Sequence, residues 1–245
     1  MNSKVRAIFL DAGNTLVFPR IDVLVEAVRS LGYPAEPEDF YESERLGKRA
    51  LDEWLWPKLR SGDLPAGVDS FYWIDYLTRL VERLKVPPED RVRVAEHLGG
   101  HYKDIEVWTR VFPGTEEILG RLGDEGYYLA VISNSIGRMK ELLNLVGLTK
   151  YLGFVFDSAI VGVEKPHPRI FQMALEKSGM IAAESVFVGD TYSTDVGGAR
   201  GAGLAGVLID WVGAYPDAEC PRITSIGELG GVIERLNSST SLARG

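Results

Sequence analysis

At 245 residues, 45% hydrophobic and 25% charged, the chain is long enough to bury one sizeable core with an insertion. A formal net charge of -8 with no Lys/Arg cluster argues against a nucleic-acid partner, so any phosphate must be bound by a local site. The single cysteine, Cys220, cannot form an internal disulfide and the N-terminal apolar run is too short for a signal or membrane segment, so a cytoplasmic location and no membrane partner are expected.

Residues 5–10 form an apolar run that predicts a buried strand delivering Asp11 into the small-residue turn Ala12-Gly13-Asn14-Thr15. Open α/β sheets present ligand-binding groups at such strand ends. Next, Ile21, Leu24, Val25, Val28 and Leu31 share one helical face before Gly32 and Pro34 stop the run. Further helices are predicted over residues 38–60, 68–85 and 89–103, with Pro57, Gly62, Pro65 and Pro87-Pro88 as punctuation and no strand between Pro19 and Asp104. From Phe112 onward the order is helix 115–123, strand 127–133, helix 139–145, strand 154–157, helix 168–177, strand 186–189, a further helix and strand 205–209. Such alternation predicts right-handed crossovers and a mostly parallel sheet. The fold class is therefore α/β: a Rossmann-like parallel-sheet core over residues 1–17 and 106–236, an α-helical insertion over 18–105, and a small, polar tail over 237–245 expected to be flexible.

Four short segments fall at or beside the ends of predicted strands, where they should converge on one rim of the sheet: Asp11 with Thr15; Ser133-Asn134; Lys165 between Glu164 and Pro166; and Gly189-Asp190 with Asp195. In this order and on these elements they resemble the haloacid dehalogenase-like (HAD) superfamily of hydrolases, and the resemblance covers nearly the whole chain. The motifs that carry it are Asp-x-x-x-Thr-Leu after the first strand, Ser-Asn after the second, Lys-Pro-x-Pro-x-Ile-Phe at residues 165–171, and Gly-Asp-x-x-x-x-Asp at 189–195. The helical insertion looks like that superfamily's first type of cap.

The resemblance implies a phosphatase acting on a small organic phosphate. Asp11 would be the nucleophile that forms an aspartyl-phosphate, and Lys165 would neutralise charge on the transferring group. Mg²⁺ would be the cofactor, held by Asp11, the Gly13 carbonyl and Asp190, with Asp195 orienting the shell. Thr15, Ser133, Asn134 and Lys165 would hold phosphoryl oxygens. One position departs from the pattern: the family's phosphatases carry a second Asp where this chain has Gly13. Glycine keeps the carbonyl that a metal needs but can neither protonate a leaving group nor activate water. Asn14 has no useful acid or base chemistry near neutrality either.

Three readings follow: a Mg-dependent phosphatase with a good leaving group or a proton from elsewhere; a metal-free carbon–halogen hydrolase; or a feeble catalyst serving as a binding protein. Asp190 and Asp195 argue against the second, because carboxylates beside a carboxylate nucleophile repel one another without a cation. Lys48 and Lys58 read as ordinary solvated lysines of the insertion, not as Schiff-base formers. Among its aromatics, Trp54, Trp56, Phe71, Tyr72, Trp73 and Tyr76, packing should dominate, with one or two left to face substrate and Arg45 and Arg49 as candidate anion contacts. His97 and His101 lack the company of a metal site, His167 reads as a surface residue, and the glycines after Asp195 read as close-packing positions.

Overall fold

The computed structural model describes residues 4–65 and 67–242. Its centre is a six-stranded sheet, β1 (Ala7–Leu10), β2 (Tyr128–Ser133), β3 (Val155–Asp157), β4 (Ser185–Gly189), β5 (Ala205–Ile209) and β6 (Arg222–Ile223), in the order β3-β2-β1-β4-β5-β6. Every pairing is parallel, as the alternation of helix and strand requires. All four residues of β1 are buried because both faces of the sheet are covered. Ile8 and Leu10 join a core with Leu119 and Leu122 of α5 (Thr115–Asp124), Leu142 of α6 (Met139–Leu145) and Ile233, while Ala7 and Phe9 meet Ile170 and Phe171 on the opposite face. Chain order reverses at β1, whose neighbours are β2 on one side and β4 on the other. That junction opens a crevice at the carboxyl ends of the strands.

The insertion is helical throughout: α1 (Ile21–Ser30), α2 (Pro37–Ser61), α3 (Val68–Arg83) and α4 (Arg91–Tyr102). They share a core of Leu24, Val28, Phe40, Tyr76, Leu80, Val94 and Leu98, which is why the periodicity of these segments reads clearly in sequence. The two linkers run side by side, Phe18 N–H donating to Arg110 O at 2.8 Å and Arg110 N–H to Phe18 O at 3.2 Å. The cap therefore leaves and rejoins the core through one paired hinge, and the return lies a few residues past the expected boundary at 105.

After β3 comes the short α7 (Ser158–Val161), and α8 (Pro168–Ser178) covers the sheet after the Lys165 loop. A π-helical turn over Tyr192–Gly197 leads into α9 (Gly198–Gly201). The close-packing reading holds for Gly198 and Gly206, where a Cβ would lie 2.8 Å from Pro166 Cα and 2.7 Å from Val196 Cγ1, but not for Gly201, which faces open space, or Gly203, whose φ of +86° is the left-handed conformation glycine allows. Gly198→Ala should accordingly destabilise the fold by about 1–3 kcal/mol, read as a lowered urea midpoint with an unchanged slope.

The C-terminal segment differs from expectation. Helix α10 runs over Leu229–Leu242, so residues 237–242, expected in a flexible tail, are helical. The reason is a tertiary contact that composition cannot reveal: Asn237 Oδ1 accepts from Val5 N–H at 2.8 Å and Asn237 Nδ2 donates to Tyr127 Oη at 3.2 Å. Residues 243–245 of the expected tail lie outside the described residues. Among the described residues, no helix is long and apolar enough to cross a membrane.

Candidate active site

Asp11 leaves β1 at the crevice, and its N–H donates to Val188 O of β4 at 2.8 Å, so the residue sits where the strand order reverses. The turn beyond it closes on the Ala12 carbonyl, which accepts from the N–H groups of Thr15, Leu16 and Val17. Lys165 Nζ donates to Asp11 Oδ1 at 2.6 Å and to Asp195 Oδ1 at 2.8 Å. The other oxygen of Asp195 accepts from Thr191 N–H at 2.9 Å, so both its oxygens are engaged and its work is to hold Lys165. A Cβ on Gly189 would stand 2.4 Å from that carboxyl, which explains a glycine at the end of β4. Asn134 fixes Lys165 from the backbone side, its Oδ1 accepting from Lys165 N–H at 2.8 Å and its Nδ2 donating to Lys165 O at 3.0 Å.

These residues form the floor of a cavity of about 870 Å³ between core and cap. Asp11, Gly13, Ser133, Asn134, Lys165, Asp190 and Asp195 all line it, so the four segments converge as the sequence predicts. Ser133 is 2% exposed, and its hydroxyl has only a long 3.5 Å contact to Asn134 O. Thr15 is also buried, with no partner for its hydroxyl, but it stands outside the cavity wall. Tyr72 and Trp73 reach the cavity, whereas Trp54 and Phe71 stack on each other at 4.2 Å, Trp56 packs on Tyr192, and Tyr76 is buried in the cap core. Arg45 pairs with Glu42, and Arg49 donates to Ala214 O, so neither is a contact in this cavity. The His97 and His101 rings meet each other at 4.9 Å, and His167 caps α8 by accepting from Arg169 N–H.

Sequence reasoning misjudged Lys48. It is not solvated: it is 1% exposed on α2, and its Nζ lies 2.7 Å from Asp190 Oδ2 and 3.5 Å from Glu44 Oε1. Glu44 Oε1 also accepts from Asn14 Nδ2 at 2.9 Å, tying the cap to the turn after Asp11. A signal was present: Phe40, Glu44, Lys48, Leu51 and Leu55 follow one another at three- and four-residue spacing, on the buried stripe of α2. Asp52, one step along that face, accepts from Ser193 N–H at 3.0 Å.

Burial dominates the electrostatics. It raises the Asp11 carboxyl to about 7 against the pull of Lys165, with Asp195 and Asp190 adding to the rise. Burial likewise raises Asp190 and Glu44 while Lys48 opposes it, and lifts Asp52 to about 6. For the two lysines burial works against the charged form, yet the facing carboxylates more than offset it, and both ammoniums titrate above their usual range.

The donor set suits a hard divalent cation. Asp11 spends one carboxylate oxygen on Lys165, and Asp190 gives Oδ2 to Lys48 while its Oδ1 has only a long 3.4 Å contact from the Thr191 hydroxyl. Among the described residues the ion pairs of Glu44, Asp11, Asp190 and Asp195 are with Lys48 and Lys165, four carboxylates against two ammoniums, which leaves a surplus of two negative charges when all are ionised. Among the described residues no three His, Cys, Asp or Glu side chains gather into a metal-holding group, and Mg²⁺ is an ion that keeps waters and takes few protein ligands.

A family model for haloacid dehalogenase-like hydrolases matches residues 5–203. The chain is 30% identical over 214 residues to the human protein named haloacid dehalogenase-like hydrolase domain-containing protein 3, spanning 84% of this chain and 82% of that protein. The bovine protein of that name aligns at 32% identity over 139 residues, only 55% of its length. The glyceraldehyde 3-phosphate phosphatase of Pyrococcus furiosus is 31% identical over 177 residues, covering 69% of this chain and 71% of that one. Among solved structures, a dehalogenase superposes with a TM-score of 0.62 at 24% identity, over 95% of this chain and 98% of that one. The putative hydrolase YfnB of Bacillus subtilis, solved with magnesium, gives 0.63 at 15% identity, over 95% of this chain and all of that one. At such identities the likeness concerns the fold.

Proposed function

Because the chain belongs to the haloacid dehalogenase-like hydrolase family, we propose that it is a Mg²⁺-dependent phosphatase of a small organic phosphate, working through a phosphorylated Asp11. The observation that carries this reading is a buried carboxylate, Asp11, presented to a cavity beside an ammonium, Lys165, that is itself fixed by Asp195 and Asn134. A relative named as a phosphatase supports the choice of phosphorus as the electrophile. Asp11 attacks phosphorus; Lys165, Ser133 and the Asn134 N–H hold phosphoryl oxygens; Asp195 keeps Lys165 in place. Asp11, the Gly13 carbonyl and Asp190 are the groups that would hold Mg²⁺, which would neutralise charge on the phosphoryl group when bound. Leu51, Tyr72, Trp73, Leu77, Tyr102 and Trp108 give the cavity apolar walls, which favour an organic group of some size on the phosphate.

The test is hydrolysis of 4-nitrophenyl phosphate and acetyl phosphate with and without Mg²⁺, with mass spectrometry of the acid-quenched protein for a phosphoryl adduct on Asp11. Metal-dependent turnover with that adduct supports the reading, and no turnover of either compound overturns it.

One observation favours a second reading. Lys48 beside Asp190 provides the very cation whose lack argued against a metal-free carbon–halogen hydrolase. Halide release from a 2-haloacid in the presence of a chelator, with no phosphate release from the esters, would select it.

A further inference from the structure

Gly13 leaves the phosphatase reading without a source for the leaving-group proton, and the cavity contains one group placed to supply it. Five carboxyls line the cavity: Asp11, Asp190 and Asp195 on the floor, and Asp69 and Glu96 from the cap. Each floor carboxyl is tied to a lysine, Asp11 and Asp195 to Lys165 and Asp190 to Lys48. Glu96 on α4 is exposed. Asp69, in the first turn of α3, is half-buried and has no salt-bridge partner among the described residues. Its position is pinned to the floor, because Val68 N–H donates to Glu164 Oε1 at 2.9 Å and the next residue, Lys165, bonds Asp11.

We propose that Asp69 is the acid–base residue of this hydrolase, standing in from the cap for the carboxyl that Gly13 lacks. This rests on the phosphatase reading. As an Asp11 oxygen forms its bond to phosphorus, the phosphorus–ester bond breaks and its electron pair stays on the leaving oxygen, which takes the Asp69 proton and departs as the alcohol. A water then attacks phosphorus and gives its proton to the Asp69 carboxylate. The bond from phosphorus to Asp11 breaks with its electrons returning to Asp11, releasing inorganic phosphate and regenerating both carboxyls. Burial raises the Asp69 carboxyl to about 6, with Glu164 adding to the rise while Lys165 and a hydrogen bond from Trp73 oppose it. Its other charged neighbours around the cavity are Glu96 of α4, Lys103 just after that helix, Arg138 and the floor carboxyls. A group titrating there is partly protonated near neutrality and serves both half-reactions.

The experiment compares 4-nitrophenyl phosphate, whose leaving group departs unprotonated, with 2-phenylethyl phosphate, whose alkoxide cannot. The variants are Asp69→Asn and Asp69→Ser, each checked by thermal unfolding. Either should lose about 10²–10⁴-fold in kcat/KM on the alkyl ester and less than about 10-fold on the nitrophenyl ester, and the high-pH fall in alkyl-ester turnover should vanish. A purely structural role would lower both substrates alike, and equal losses or no loss overturn the assignment of Asp69 alone. The wild type tests the idea without any variant: its phosphorylation rate should depend only weakly on the acidity of the leaving alcohol, and a steep dependence overturns the proposal. A wild type inactive on every ester overturns the phosphatase reading and this inference with it.

Discussion

Asp11→Asn should fold and should hydrolyse phosphate esters on the order of 10⁴–10⁶-fold more slowly than the wild type, with no phosphoryl adduct. The amide has the same shape and can still accept from Lys165 Nζ, but it has no anionic oxygen to attack phosphorus. Stability gives an independent reading. Burial holds the folded Asp11 carboxyl at about 7 against an ordinary 3.8. A folded pKa above the unfolded one means that the group's contribution is fully present below the unfolded value and is lost as pH rises through the folded value. From this group the wild type loses stability between about pH 4 and 7, and the variant, with nothing to release there, does not. The melting temperature of Asp11→Asn relative to wild type should therefore rise between pH 5 and pH 8. A relative fall over that range would contradict the burial argument, and residual phosphoryl adduct would remove Asp11 from the reaction.

The sheet was legible in the sequence because a parallel sheet buries its strands on both faces, so β1, β2, β4 and β5 read as near-continuous apolar runs. Most of the site followed because Asp11, Ser133 and Asp190 sit at the ends of those runs, and Lys165, in the loop between α7 and α8, joins them on the same rim. Two-residue β6 was beyond reach, since an edge strand that short leaves no periodicity. The cap's share of the site was harder for a different reason. Its helices announce which residues are buried, but not whether a buried face meets the cap's own core or the core domain across the cavity. Arg45 and Arg49 looked suited to an anion and turn elsewhere, while Lys48 looked solvated and reaches Asp190. Asp69 carries no local motif at all; its standing depends on Val68 meeting Glu164, residues 96 apart in sequence.

Lys48→Met should cost the fold about 3–5 kcal/mol at pH 8, because it leaves Asp190 and Glu44 buried without their ammonium. The methionine chain follows the path of the lysine stem, so lost packing contributes little. The pH dependence has a definite sign. The raised pKa of Lys48 keeps its contribution fully in place below its ordinary 10.5, so at pH 8 the whole of it is at stake. Asp190 and Glu44 already titrate above their ordinary values, and removing Lys48 raises them further. Protonation then relieves the buried charge, and the deficit against wild type should shrink steadily from pH 8 to pH 5 in urea titrations. A divalent cation bears on the same charge: Asp190 Oδ2, freed from Lys48, becomes an additional oxygen donor facing a larger negative surplus. Mg²⁺ should therefore raise the melting temperature of Lys48→Met more than that of the wild type. That result would make Lys48 and the metal competitors for one carboxylate, so that cap closure and metal loading are coupled; equal shifts in the two proteins would mean that the ion binds without using Asp190 Oδ2.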